Sequence, residues 1–197
     1  MNYETPSLAP GLLLASPALS DPNFKEAVVL LGHHDEDGAL GWVLNGRALG
    51  PASTLLVDSG LTPPGTRLSG PSYARHVRLG GPVLPGSAWL LFQRTPEIPS
   101  YDGQTPLDED YAVTSNSDAI TALANGNGPL NFRLVLGYAG WGPKQLETEI
   151  QAGAWLPAAL DPELLLLADP ETLWSVAYQR SVGALPVAFN TMARGRA

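Results

Sequence analysis

The chain alternates short apolar runs with polar stretches punctuated by Gly and Pro, and few segments hold a helical period. Runs rich in Val, Leu or aromatic residues predict strands at Leu12–Ala15, Ala27–His34, Ala39–Asn45, Val77–Leu79, Ala88–Gln93, Tyr111–Thr114 and Arg133–Leu136. A sheet is therefore the expected scaffold. Helices are expected in three places. Ser117 precedes "DAITALAN" as an N-cap with Asp118 in the first turn, and the Gly126 region ends that segment. In "GPKQLETEIQAG", Pro143 takes a first helical position, Leu146 and Ile150 share a face, and Gly153 stops the run. Nearer the C-terminus Asp169 caps and Pro170 starts a helix that lines up Trp174, Ala177, Tyr178 and Ser181 and stops at Gly183.

The stretch "VVLLGHHDEDGALGWVLN" poses a choice between a metal site and a hairpin tip. Asp37-Gly38 between two runs of strand formers predicts a two-residue turn, which sets His33 opposite Trp42 and His34 opposite Gly41. Neighbouring residues on a strand point to opposite faces, so the two histidines diverge. A catalytic zinc wants three convergent ligands, and this stretch offers at most two. The sequence thus predicts no metal centre.

Composition narrows the picture. A chain of 197 residues, 44% hydrophobic, can bury a proper core, and its 21 Gly and 19 Pro are spread without gathering into a linker. One domain spanning 1–197 is expected. No apolar run approaches membrane-spanning length, and "MNYETPSLAPGLLLASPALS" carries no Lys or Arg ahead of its short apolar stretch. The expectation is a cytoplasmic protein without membrane association. The absence of Cys excludes disulfides, thiol nucleophiles and thiolate metal sites.

A net charge of −8 opposes a phosphate backbone, whose binding needs clustered cations. One cluster exists, "RLSGPSYARHVR", where Arg67, Arg75, His76 and Arg78 occur without an acidic residue. It reads as a solvated loop and strand edge in preference to a phosphate site, and direct nucleic-acid binding is not expected. No Gly-x-Ser-x-Gly elbow, His-Glu-x-x-His or Walker sequence is present. Glu147 and Glu149 sit two apart on a predicted helix and so diverge by about 200° around it. Asp108-Glu109-Asp110 reads as a solvated charge run. Catalytic residues are not assigned.

Three blocks carry a family resemblance. "LLLASPALSDPNFKEAVVLLGHHDEDGALGWVLNG" resembles the N-terminal signature of the YqgE/AlgH family through Pro17, Leu19, Asp21, Pro22, Phe24, His34, Gly38, Ala39, Gly41 and Asn45. "LGGPV" at Leu79–Val83 resembles its central Gly-Gly-Pro element, and "LGYAGWGPKQLETEIQAGAWL" at Leu136–Leu156 its Gly-Tyr-Ala-x-Trp-x-x-x-Gln-Leu-x-x-Glu-Ile segment. Departures occur at Ser16, where the family usually has Met, at Glu26, often basic, and at Asn45-Gly46-Arg47 in place of Asn-Lys-Pro.

The resemblance implies an α+β fold: a single compact domain with a bent, barrel-like, mostly antiparallel sheet and a few packed outer helices. It implies no cofactor and brings no established catalytic residues, and the family's transcriptional-regulator label, tied to alginate production, is a phenotype and not a mechanism. The first functional reading is a non-enzymatic protein that meets an unknown protein partner through its aromatic and glycine-rich turns. The rivals are a small hydrolase or ligand-modifying enzyme, with a site where Asn45, His34 and the Gly137–Gly142 turn converge, and a regulator binding DNA directly. Candidate contact residues are His34, Asn45, Gly80, Gly81, Tyr138, Trp141 and Gln145. A deep polar cleft lined by them would favour the enzyme, and packing in the core would count against it.

Overall fold

A computed structural model describes residues 7–166 and 169–182. Ten strands and six helices follow in the order β1 Gly11–Ala15, β2 Val28–Asp35, β3 Gly38–Val43, β4 Ala48–Pro51, α1 Ala52–Asp58, α2 Pro71–Ala74, β5 His76–Leu79, β6 Val83–Gln93, β7 Thr105–Pro106, β8 Tyr111–Thr114, α3 Ser117–Ala124, β9 Phe132–Trp141, α4 Gln145–Gln151, β10 Trp155–Ala159, α5 Pro162–Leu166 and α6 Leu173–Val182. The fold is α+β. Its sheet runs β10-β1-β2-β3-β9-β6-β8-β7, antiparallel along this path and not closed into a barrel. A short branch leaves it where β5 pairs β4 and lies parallel to β9.

The bend comes from one long strand. The first half of β9 lies between β6 and β5, and its second half pairs β3 over Ala139–Trp141. Gly137 stands between the halves at φ 74°, a conformation that suits a residue without Cβ. The strands predicted as separate runs at Ala88–Gln93 and Arg133–Leu136 are therefore the ends of longer ones. Strands β4, β7 and β10 were hidden in the sequence by Pro51, Pro106 and Pro157, residues tolerated at sheet edges. Strands β7 and β10 are the two ends of the sheet path.

Strands β1 and β2 are apolar on both faces because both are covered. Leu12, Leu14, Val28 and Leu30 pack with Trp42, α5 and α6, whereas Leu13, Ala15, Val29 and Leu31 pack with Trp141, Leu146 and Trp155. A third cluster holds α1, α2 and α3 against β6, β8 and β9 through Leu56, Tyr73, Leu123, Phe92 and Phe132. No described helix is long and apolar enough to cross a membrane.

Local starts differ from the sequence pattern in three places. Asn116, not Ser117, caps α3, its Oδ1 accepting from the Asp118 and Ala119 amides at 2.8 and 3.4 Å. Helix α4 begins at Gln145 and not Pro143, because Lys144 adopts φ 61° and Gln145 closes a turn onto the Gly142 carbonyl. Asp169 caps a turn through Glu171 N–H, so α6 starts at Leu173 after the turn that contains Pro170. Its buried face uses Leu173, Ala177 and Tyr178, while Ser181 is exposed; Gly183 lies outside the described residues.

Candidate functional site

The hairpin of β2 and β3 turns one residue earlier than Asp37-Gly38. Asp35 pairs Gly38, His34 pairs Ala39 and His33 pairs Leu40, so the register expected for both histidines is corrected. Two packing facts fix this. The Asp35 carboxylate accepts the Asp37 N–H at 2.9 Å, and Gly38 lies so close to the Trp141 carbonyl that a Cβ there would collide with it. The ladder then slips at Gly32, whose missing side chain leaves room for the Trp42 ring.

The two histidines do diverge. His33 is exposed and meets Asp35 at 2.8 Å. His34 is 7% exposed, takes the Leu8 amide on Nδ1 at 3.1 Å, and holds Nε2 3.6 Å from a Glu147 carboxylate oxygen. Among the described residues no three His, Asp or Glu side chains gather where they could hold a metal.

The Gly137–Gly142 turn and α4 form a corner built on one carboxylate. Glu149 Oε2 accepts Nε1–H from Trp141 at 3.0 Å and from Trp155 at 2.8 Å. Gln145 donates to Glu149 Oε1 at 2.9 Å and accepts the Gly142 amide at 3.0 Å. The Phe24 and Trp155 rings pack on Trp141, which is only 6% exposed. Glu147 and Glu149 thus serve different partners. The role of Glu149 was missed in the sequence, where its spacing from Glu147 shows only that the two carboxylates diverge.

The other candidates are drawn into the same framework. Asn45 accepts the Val28 amide and donates to the Glu26 carbonyl, both at 2.8 Å, clamping the end of β3 to the start of β2. Gly80 sends its amide to Leu136 and its carbonyl takes the Val43 amide, so it bridges β9 and β3 beside the branch. A Cβ on Gly81 would collide with the Tyr138 backbone. Tyr138 is half-buried, edge-on to Trp89, which tilts onto Trp42. His34 and the turn are therefore brought together through α4, while Asn45 stands at the far end of β3. They do not line one cleft.

A cavity of about 300 Å³ opens elsewhere, at the branch, and Arg75, His76 and Arg78 line it together with Arg133, Ser72 and Asp169. The loop expected to be a solvated edge thus forms one wall of a cavity. Arg133 is 4% exposed and gives Nη1 to the Leu44 carbonyl at 2.8 Å. Burial, and then the Arg75 and Arg78 charges, push its guanidinium down to about 10. Arg78 donates to the Gly46 carbonyl at 3.1 Å and pairs with exposed Glu171 at 2.8 Å. Arg133 was missed because it lies far from the loop in sequence. The parallel pairing of Arg78 with Val135 brings it alongside.

A family model described as AlgH-like matches residues 12–185. A UPF0301 protein of Anaeromyxobacter sp. (strain K) is 38% identical over 187 residues, covering 92% of this chain and 91% of its own. A UPF0301 protein of Paracoccus denitrificans is 35% identical over 186 residues, covering 93% and 94%. The solution structure of the AlgH protein from Pseudomonas aeruginosa superposes with TM-score 0.72 at 30% identity, covering 96% of this chain and 97% of that one. A crystal structure of a Corynebacterium diphtheriae protein shares the fold at TM-score 0.70 and 22% identity, covering 95% and 93%.

Proposed function

The chain belongs to the AlgH-like family, and from that premise we propose that it works by binding and not by catalysis. It acts in the cytoplasm, and any effect on transcription runs through a protein partner and not through direct contact with DNA. One observation carries the reading: the signature residues Glu149, Gln145 and Asn45 spend their polar groups on their own fold. Glu149 is held by two indoles and Gln145, and Asn45 by the backbone of β2. A catalytic constellation needs groups left over for a substrate.

The partner surface in this reading lies outside the close approach of Gly80 and Gly81 to β9. Leu84 is 63% exposed and has φ 44°, a left-handed conformation unfavourable for a side chain of its shape, and exposed Pro85 and Gly86 follow it. An apolar side chain held in strained backbone beside the Gly137 bend suits an anchor for another protein. A photocrosslinker placed at position 84 in the native cell tests this, with position 57 as the control because Val57 is also exposed. One discrete protein adduct from position 84 alone is expected. Equal labelling from both positions, or none from either, contradicts the reading.

The second reading, a hydrolase, draws on the His34–Glu147 pair, whose 3.6 Å separation would let a carboxylate orient an imidazole. Ester turnover abolished by both His34→Gln and Glu147→Gln, at unchanged melting temperature, would establish it in place of the first.

A further inference from the structure

We infer that the cavity at the β4–β5 branch is a binding site for a small phosphate-bearing metabolite, its oxyanion held by Arg75, Arg78 and Arg133. The inference stands apart from the partner surface at Leu84, and either can fail alone.

Charge is the first argument. Three of the chain's 11 basic residues line this one space, in a protein of net charge −8. Bringing guanidinium groups together is unfavourable unless an anion joins them, and Arg133, its proton affinity lowered first by burial, is lowered further by the Arg75 and Arg78 charges. The acids at hand are few. Asp169 lines the cavity, and Glu171 pairs with Arg78 from an exposed position. An exposed ion pair of this kind is weak, so an incoming dianion can displace Glu171 from the guanidinium.

Shape is the second. Guanidinium groups present paired N–H donors that match phosphate oxygens, and Ser72 adds a buried hydroxyl whose oxygen already accepts the Phe132 amide, leaving its proton to donate. The Arg78 Nε–H is buried with no acceptor among the described residues, so the side chain has donor capacity in reserve. Ala52, Val77 and Leu134 supply apolar wall for a carbon skeleton. A volume of about 300 Å³ lies at the small end of ligand cavities and suits a single metabolite, not a nucleic-acid track.

Isothermal titration of the full chain with inorganic phosphate and with glycerol phosphate, against chloride at matched ionic strength, tests the site. Arg75→Gln is the main variant, since among the described residues Arg75 makes one long bond, 3.4 Å to the Phe132 carbonyl, and should fold. Arg67→Gln, from the same arginine-rich stretch but outside the cavity lining, removes the same charge as a control. Saturable binding of phosphate, tighter binding of glycerol phosphate, a loss of about tenfold or more in Arg75→Gln and none in Arg67→Gln are expected. Glu171→Gln, which frees Arg78, should tighten binding and gives a reading of opposite sign should Arg75→Gln fold poorly. The inference is overturned if the folded wild-type protein shows no saturable binding at millimolar phosphate, if Arg67→Gln and Arg75→Gln weaken it equally, or if Glu171→Gln leaves it unchanged.

Discussion

The tryptophan corner and the arginine cavity use similar raw material in opposite ways. Around Trp141 one carboxylate meets three donors, and every polar group named there has an internal partner. At the branch, three guanidinium groups share a cavity with one lining acid, Asp169, and lean on an exposed Glu171. The corner carries the family signature, yet its chemistry is consumed in holding β9, α4 and β10 together. The cavity carries no signature block, and it gathers three guanidinium groups against one lining acid. The recognisable motif therefore sits where this chain packs, and the clustered charge is where the proposed ligand would bind.

The strongest way to break that contrast is Trp141→Ala. Lost transfer energy and the cavity left behind should cost about 3–5 kcal/mol in urea unfolding. A near-normal unfolding free energy together with loss of a specific partner would move the corner to the functional side. Glu149→Ala comes next. It strands two indole N–H groups, one on each of two buried tryptophans, and should cost about 2–3 kcal/mol, with Glu149→Gln milder because it keeps an acceptor.

In the cavity, Arg75→Gln should leave unfolding within about 0.5 kcal/mol of wild type, since it removes like-charge repulsion as well as one long bond. A penalty as large as that at Glu149 would make the cavity structural too. The smallest effect belongs to the hairpin tip beside the corner. The Asp37 N–H, ahead of the His33 contacts, holds the Asp35 carboxyl below its ordinary 3.8. Its folded value is depressed, so its contribution is whole above that ordinary value and is lost as pH falls through the folded one. The melting difference between wild type and Asp35→Ala should therefore be slight at neutral pH and shrink to nothing in acid.

Much of the fold was legible because it rests on local pattern. The doubly covered β1 and the first half of β2, Val28–Leu31, show as unbroken apolar runs, and β8 shows as "YAVT" at its observed limits. What escaped was set by contacts distant in sequence. The hairpin register depends on Gly32 making room for Trp42 and Gly38 meeting Trp141, neither of which a turn dipeptide records. The short strands with Pro51, Pro106 and Pro157 follow edge tolerance that needs the sheet order to be seen. The same holds for the candidate residues. His34, Asn45 and the turn stood out by type, but whether they faced a cleft or each other was decided by α4 and the start of β2. The arginine loop was visible, and its partner Arg133, hidden inside an apolar strand, was not.

One measurement bears most directly on the division between a packed signature and a charged cavity: the amide and guanidinium NMR shifts of the full chain during titration with inorganic phosphate. Saturable changes confined to Arg75–Arg78, Arg133, Leu134 and the Asp169–Glu171 turn are expected, with Gly137–Gln145 silent. Changes centred on Gly137–Gln145, with the branch unmoved, would contradict that division.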